Sequence, residues 1–214
     1  MFTGIIEKVG RLACLEDRGD GARLVIEHPA WSEPLAPGES VAVQGACLTA
    51  VTCAKESFTC DVLRETLVRT CLVEKRPGSL LNLERAMRAD GRFGGHLVSG
   101  HVDGTGSVTR LDAIGRDWLL EVECGRELTV EMVQKGSITL DGISLTVTQV
   151  AEDRFQVHLI PFTWENTSIQ EVRVGNRVNL ETDLVGKYVR KYLATGHPIR
   201  QGLALEDLRR AGFA

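Results

Sequence analysis

The sequence predicts an all-β protein: two tandem, duplicated Greek-key β-barrels followed by one C-terminal α-helix. Three observations carry this. One phrase is written twice, as SVAVQGACLTAV from Ser40 to Val51 and SITLDGISLTVT from Ser137 to Thr148. Short apolar runs bounded by glycine recur through both halves. A single amphipathic stretch near the C-terminus has no counterpart in the first half.

The repeat holds well beyond that phrase. Gly45 matches Gly142, Leu48 matches Leu145 and Thr49 matches Thr146, each 97 positions apart. At the same offset, FTCDVLRET from Phe58 matches FQVHLIPFT from Phe155, and LNLE from Leu81 matches VNLE from Val178. At the start the offset is 96, with TGIIEKVG from Thr3 facing SGHVDGTG from Ser99. Four stretches in one order and nearly one register mean a duplicated domain of about 95 residues. The register divides the chain into a first barrel over 1–95, a second over 96–184, and a helix with a tail over 185–214.

Within each copy the elements follow from local pattern. RLVIEH, SVAVQG and ACLTAVT in the first copy, and DWLLEVEC, SITLDG and ISLTVTQV in the second, alternate or run apolar with β-branched residues. Units this small hide sheet edges best by closing into barrels. ETLVRT and TWENTS read as single helical turns between strands. In LVGKYVRKYLAT, residues Leu184, Val185, Tyr188, Val189 and Tyr192 fall at helical spacing among basic side chains. That stripe must be covered, either by docking on the barrels or by the same helix of sister subunits. LEDLRRAGF near the end reads as a last helical turn or a disordered tail.

Composition excludes several function classes. The chain has 214 residues, 43% hydrophobic and 25% charged, which suits a soluble globular protein. A net charge of −4 offers no basic footprint for nucleic acid. No apolar run is long enough for a membrane span, and MFTGIIEKVG lacks the build of a signal peptide. A cytoplasmic protein with reduced thiols is therefore expected. None of the six cysteines forms a C-x-x-C pair, which argues against zinc or redox chemistry, and most read as small buried hydrophobes. The five histidines divide by context: His28 and His197 precede prolines and are expected to face solvent, His158 lies in a strand and is expected inside, and His96 at the junction reads as structural.

The copies differ at chosen points. Ile5 faces His101, Gly38 faces Lys135, Gln44 faces Asp141, Cys47 faces Ser144, and Glu65 faces Phe162. Taken alone, Cys47 reads as a core thiol and Asp141 as a turn acid; their places in the repeat move both towards a pocket. Matched Thr49 and Thr146, and Thr66 and Thr163, read as common binding groups. Cys47, His101 and Ser144 are the candidates for chemistry, since a thiol or hydroxyl can bond or add to a substrate and an imidazole moves protons near neutral pH.

MFTGIIEKVGRL, SVAVQGACLTAV, GGHLVSGHVDGTG, KGSITLDGISLTV and VNLETDLVGKYVRKYL together resemble the riboflavin synthases built of two homologous barrels. The resemblance runs unbroken from residue 1 to about 195. It implies a transferase that dismutates two molecules of 6,7-dimethyl-8-ribityllumazine, moving a four-carbon unit to give riboflavin and 5-amino-6-(D-ribitylamino)uracil. It implies no metal and no added cofactor. It implies a homotrimer held by C-terminal helices, active sites between barrels of neighbouring subunits, and association with lumazine synthase. In the first copy it implies substrate contacts at Gly4, Ile5 and Ile6, at Ser40, at Cys47, Leu48 and Thr49, and along Asp61, Val62, Leu63, Arg64, Glu65 and Thr66. In the second it implies contacts at Gly100, His101 and Val102, at Lys135 and Asp141, and at Ser144, Leu145 and Thr146. The same copy adds Ile160, Pro161, Phe162, Thr163, Trp164 and Glu165, and then Asp183. Many members have Asn where this chain has Gln44, and a polar residue in place of Phe162, so geometry there is expected to differ.

Two rival readings follow from related barrels. One is a non-catalytic antenna that holds lumazine or flavin in a single good pocket; here both copies keep Gly-x-(Cys/Ser)-Leu-Thr. The other is a flavin-dependent oxidoreductase. No G-x-G-x-x-G sits between strand and helix to build its nicotinamide domain.

Overall fold

A computed structural model describes residues 1–195 together with Arg209, Arg210 and Gly212. The predicted elements at His197 and over most of LEDLRRAGF lie outside the described residues.

The first copy folds as β1 (Lys8–Asp17), β2 (Gly21–Glu27), β3 (Ser40–Val43), β4 (Ala46–Cys53), β5 (Ser57–Leu63) and β6 (Leu80–Arg85). They close a barrel in the order β1-β2-β5-β4-β3-β6, with every pair antiparallel. The second copy repeats this with β7 (Gly104–Ile114), β8 (Asp117–Glu123), β9 (Ser137–Leu140), β10 (Ile143–Val150), β11 (Arg154–Leu159) and β12 (Arg177–Thr182). Alternation fills each barrel. On β2, Ala22, Leu24 and Ile26 point inwards and are buried, while the residues between them are half-buried. Phe58 in one barrel and Phe155 in the other sit at matched places in their cores. Each fully buried aromatic of this kind contributes about 1.5–3 kcal/mol. The expected helical turns form as α1 (Arg64–Arg69) and α3 (Pro161–Glu165); a short α2 (Arg126–Thr129) precedes β9.

The two barrels meet tip to tip. The β3–β4 and β9–β10 hairpins turn through Gln44-Gly45 and Asp141-Gly142, all four residues with positive φ (50°, 82°, 46° and 83°). That is the two-residue turn whose twist matches the flanking strands. A Cβ on Gly45 would lie 2.8 Å from the Gly142 nitrogen, so only glycine lets the tips touch. Asn82 and Asn179 stitch this contact symmetrically. Asn82 Nδ2 donates to the Asp141 carbonyl at 2.9 Å, and Asn179 Nδ2 donates to that of Gln44 at 2.8 Å. Their Oδ1 atoms accept from Ser168 N and Cys71 N, each at 2.7 Å.

This seam overturns one expectation. Asp141 is 1% exposed and Gln44 is 0% exposed. Gln44 Oε1 accepts from Asn82 N and Asp141 Oδ1 accepts from Asn179 N. Each side chain ties its hairpin tip to the neighbouring strand, β6 or β12, and is buried inside the barrel–barrel contact, where the sequence led us to expect a pocket-facing group.

α4 (Leu184–Ala194) is capped by Asp183, whose Oδ1 accepts from Val185 N at 2.8 Å. Its basic side chains turn towards the second barrel: Lys187 pairs with Asp103 at 2.6 Å and Arg190 with Glu131. Val185, Tyr188, Val189, Tyr192 and Leu193 are 52–68% exposed. The helix therefore does not bury its stripe on its own barrels. Among the described residues no helix is long and apolar enough to cross a membrane. All six cysteines are free; Cys60, Cys71 and Cys124 are buried, and Cys14, Cys47 and Cys53 are half-buried. Burial pushes the Cys60 and Cys71 thiols up to about 12 and that of Cys124 to about 11.

Candidate substrate clefts

Each barrel has a place where two neighbouring strands part. β4 pairs with β5 from Cys53↔Phe58 to Ala50↔Cys60. From Thr49 back to Ala46 its partner is β3, while Asp61–Leu63 of β5 pair with β2. The second barrel opens identically: β10 pairs with β11 as far as Val147↔Val157, then Ile143–Thr146 pair with β9 and His158–Leu159 with β8. Alternation along β4 turns the backbone groups of Cys47 and Thr49 into this opening, and along β10 those of Ser144 and Thr146. Strand backbone groups thus line the opening, with exposed Thr49 and Thr146 beside them.

What enters each opening comes from the other copy. Gly4 accepts a hydrogen bond from Ser144 N at 2.7 Å, and Gly100 accepts one from Cys47 N at 2.8 Å. Ile6 packs on the second barrel's core and Val102 on the first's. The sequence placed Gly4, Ile5 and Ile6 with Cys47, and Gly100, His101 and Val102 with Ser144; the structure exchanges them. The anchors explain why. Thr3 N and Oγ1 donate to Glu84 Oε1 at 2.6 and 2.7 Å, and Gly4 N donates to Oε2 at 2.9 Å. Ser99 and Gly100 bind Glu181 in the same pattern at 2.7, 2.6 and 3.0 Å. Each segment is held by its amides to its own β6 or β12, and its carbonyl reaches across the seam. Gly4 and Gly100 have φ of +76° and +80°, and a Cβ on either would lie within 2.7 Å of Ser144 or Cys47.

Phe2 pins the exchange. Phe2 N donates to Val98 O at 2.8 Å and Val98 N to Phe2 O at 3.2 Å. Its ring is fully buried with Ala42 and Val98, and Cys47 packs against them. Sequence reasoning missed this residue; the only signal was an aromatic beside the repeat's first matched segment.

Among the described residues, the Ser144 side chain has a hydrogen-bond partner that the Cys47 side chain lacks. His96 Nδ1 lies 2.7 Å from Ser144 Oγ, and its Nε2 lies 3.2 Å from Thr139 Oγ1. His96 is buried, which lowers its pKa, with the charge of Asp183 opposing that shift. His96, read from the sequence as a structural residue at the junction, bridges Ser144 and Thr139 there. His28 is also buried, its ring tilted against those of Trp31 and Phe58, while His158 is exposed; both reverse expectation. The ring of His28 caps an apolar core, and His158 falls on the outward face of β11.

The remaining candidates divide by what they present. Thr49, Thr146, Leu63, Arg64, Glu65, Ile160, Phe162, Glu165, Ile5, His101 and Lys135 are exposed. Thr66, Pro161, Thr163, Trp164, Ser40 and Asp183 are half-buried. Leu48, Leu145 and Val62 point into the cores, so they offer a ligand their backbones alone. Asp61 is held in a two-pronged pair by Arg23 at 2.7 and 2.9 Å, and Glu65 pairs with Arg69 at 2.6 Å. Lys135 occupies a left-handed turn (φ 66°) where the first copy has Gly38. Ser40 borders a cavity of about 600 Å³ that Thr3 and Ile5 also line.

Two small barrels, each with an open seam capped by its twin, define a duplicated small-ligand-binding protein. The lumazine-binding domain matches twice, over residues 3–86 and 99–183. The riboflavin synthases of Actinobacillus pleuropneumoniae and Bacillus subtilis are each 41% identical over the whole of both chains. That of Mycobacterium tuberculosis is 46% identical over 90% of this chain and 98% of its own. The chain belongs to the riboflavin synthase family. LumP in complex with riboflavin shares the fold, with a TM-score of 0.78 and 20% identity over 85% of this chain and 99% of LumP.

Proposed function

We propose that the protein is a riboflavin synthase, a transferase that converts two molecules of 6,7-dimethyl-8-ribityllumazine into riboflavin and 5-amino-6-(D-ribitylamino)uracil by moving a four-carbon unit. The observation that carries this is the pair of intact openings within a chain that matches riboflavin synthases from end to end. Two like clefts hold two copies of one compound, and facing them brings the rings into reach. Orientation of this kind supplies up to ~7–11 kcal/mol. All atoms of the two substrates reappear in the two products, so the protein's tasks are alignment, proton movement and exclusion of water.

The asymmetry supports unlike roles for like guests. Ser144 with His96 forms the polar end, where the neutral imidazole accepts the hydroxyl proton while Oγ bonds or adds to the ring. Cys47, among Phe2, Ala42 and Val98, forms the apolar end. His101 follows Gly100 on the segment that reaches the Cys47 cleft and serves proton transfer there. Thr49 and Thr146 bind ring edges beside the open strands, and Ser40, Lys135 and Asp183 serve the ribityl chains and ring carbonyls. The exposed apolar side chains of Val185, Tyr188, Val189 and Leu193 on α4 support a homotrimer, in which the first barrel of one subunit faces the second barrel of the next. Free thiols suit a cytoplasmic setting, and association with lumazine synthase would deliver the substrate directly.

Incubation with the lumazine tests the reading. Riboflavin should appear at half the molar loss of substrate, with the uracil product in equal amount. Tight fluorescent binding without turnover would instead mark an antenna protein and end the proposal.

A further inference from the structure

The two clefts differ in one feature that the repeat did not reveal. The indole of Trp118 on β8 lies flat against that of Trp164 on α3, with ring centroids 4.1 Å apart and 12° between planes. Trp118 shares its face of β8 with Leu120 and Val122, which are fully buried, so it points inwards. It stands opposite Leu159, where β11 leaves the barrel for α3. That is the end at which β10 and β11 part. Both indoles, like Ile6, pack on the second barrel's core. The matched pair in the first copy is Ala22, opposite Val62, and Leu67. A methyl and an isobutyl group stand where the second copy has two indoles.

α3 has few other attachments. None of its five residues is buried, and its N-cap makes no side-chain bond. Among the described residues the side-chain bonds it receives are local: Thr167 Oγ1 donates to Thr163 O, Asn166 Nδ2 to Phe162 O, and Gln170 Nε2 to Glu165 O. Phe162 projects into solvent, 70% exposed. The stacked indoles therefore join this short helix directly to the barrel wall, beside its packing on the following turn at Ser168–Glu171.

We infer that Trp118 is a positioning residue for the second cleft: by stacking on Trp164 it fixes α3, and with it the Ile160–Thr163 wall against which a ring must lie. The inference rests on the lumazine reading for its ligand. A wall ordered in the free protein spares the ligand the cost of ordering it. Removing the stack should therefore weaken binding more than it slows the bound substrates.

Trp118→Ala and Trp118→Phe test this, with circular dichroism and steady-state kinetics on the lumazine. The exciton couplet of the stacked indoles should vanish in Trp118→Ala. KM should rise about five- to tenfold while kcat falls less than about threefold. Trp118→Phe keeps an aromatic face and should bring KM back to within about twofold of the parent. An unchanged KM after loss of the couplet overturns the inference, even if thermal stability falls. So does a KM raised equally by Phe and Ala. If Trp118→Ala does not fold, Trp118→Leu takes its place under the same criteria. If the parent protein turns over no lumazine, the functional reading fails, and the stack is then judged by riboflavin binding: an affinity unaltered by Trp118→Ala overturns it.

Discussion

Phe2 shows how much one side chain decides. Its backbone pairs with Val98, and its ring is sealed with Ala42 where Cys47 and Gly100 meet. Truncation leaves a hole under both exchanged segments, a loss of about 3–5 kcal/mol if the site does not collapse. The barrels keep their own cores, so the damage falls on the clefts. Phe2→Ala should retain the β-sheet spectrum but lower lumazine turnover by at least about tenfold, since a displacement of 1 Å can cost about a hundredfold. Near-parental turnover in a stopped-flow or fluorescence assay would show that the exchange does not shape the site.

Among elements, the facing hairpin turns combine close approach with an unequal pair. Gln44 and Asp141 occupy equivalent seats, yet Asp141 Oδ2 and Gln44 Nε2 have no hydrogen-bond partner among the described residues. Burial lifts the Asp141 carboxyl from 3.8 to about 6. A folded-state value above the unfolded one means that protonation stabilises the fold. That contribution is whole below about pH 3.8 and is lost as pH rises through about 6. Asparagine mimics the protonated form and keeps an oxygen for Asn179 N. Asp141→Asn should therefore gain stability over the parent progressively between about pH 4 and pH 6, reaching about 3 kcal/mol at neutral pH. Urea unfolding at a series of pH values reads this directly; a gain independent of pH would mean that Asp141 is already neutral.

For the whole molecule, the decisive surface is the stripe on α4. Five large apolar side chains stand more than half exposed on a helix whose charged side is tied to Asp103 and Glu131. Under the trimer proposal this stripe is the contact between subunits, and the clefts are complete only when barrels of neighbours face one another. Val189→Glu places a charge in that contact, where burial without a partner is costly. Sedimentation should show the trimer giving way to monomers, with lumazine turnover falling in proportion. A monomer that keeps full specific activity would locate both halves of the site within one chain.

The sequence by itself determined the duplication, the strands, the two helical turns and the amphipathic tail, because each is written in local periodicity or in a match along the chain. It also marked Cys47 and Ser144 as the unlike pair. Only the tertiary structure decided which segment caps which barrel. Matching residues at a fixed offset assigns Gly4 to the first copy, but a carbonyl can bond any amide that folding brings near, and here that amide belongs to Ser144. His96 was illegible for the same reason, since its partner lies 48 residues away. Asp141 looked like a pocket acid because a turn residue reads the same whether its tip faces solvent or a second turn. Burial, not residue type, separates those cases, and burial is a property of the folded chain.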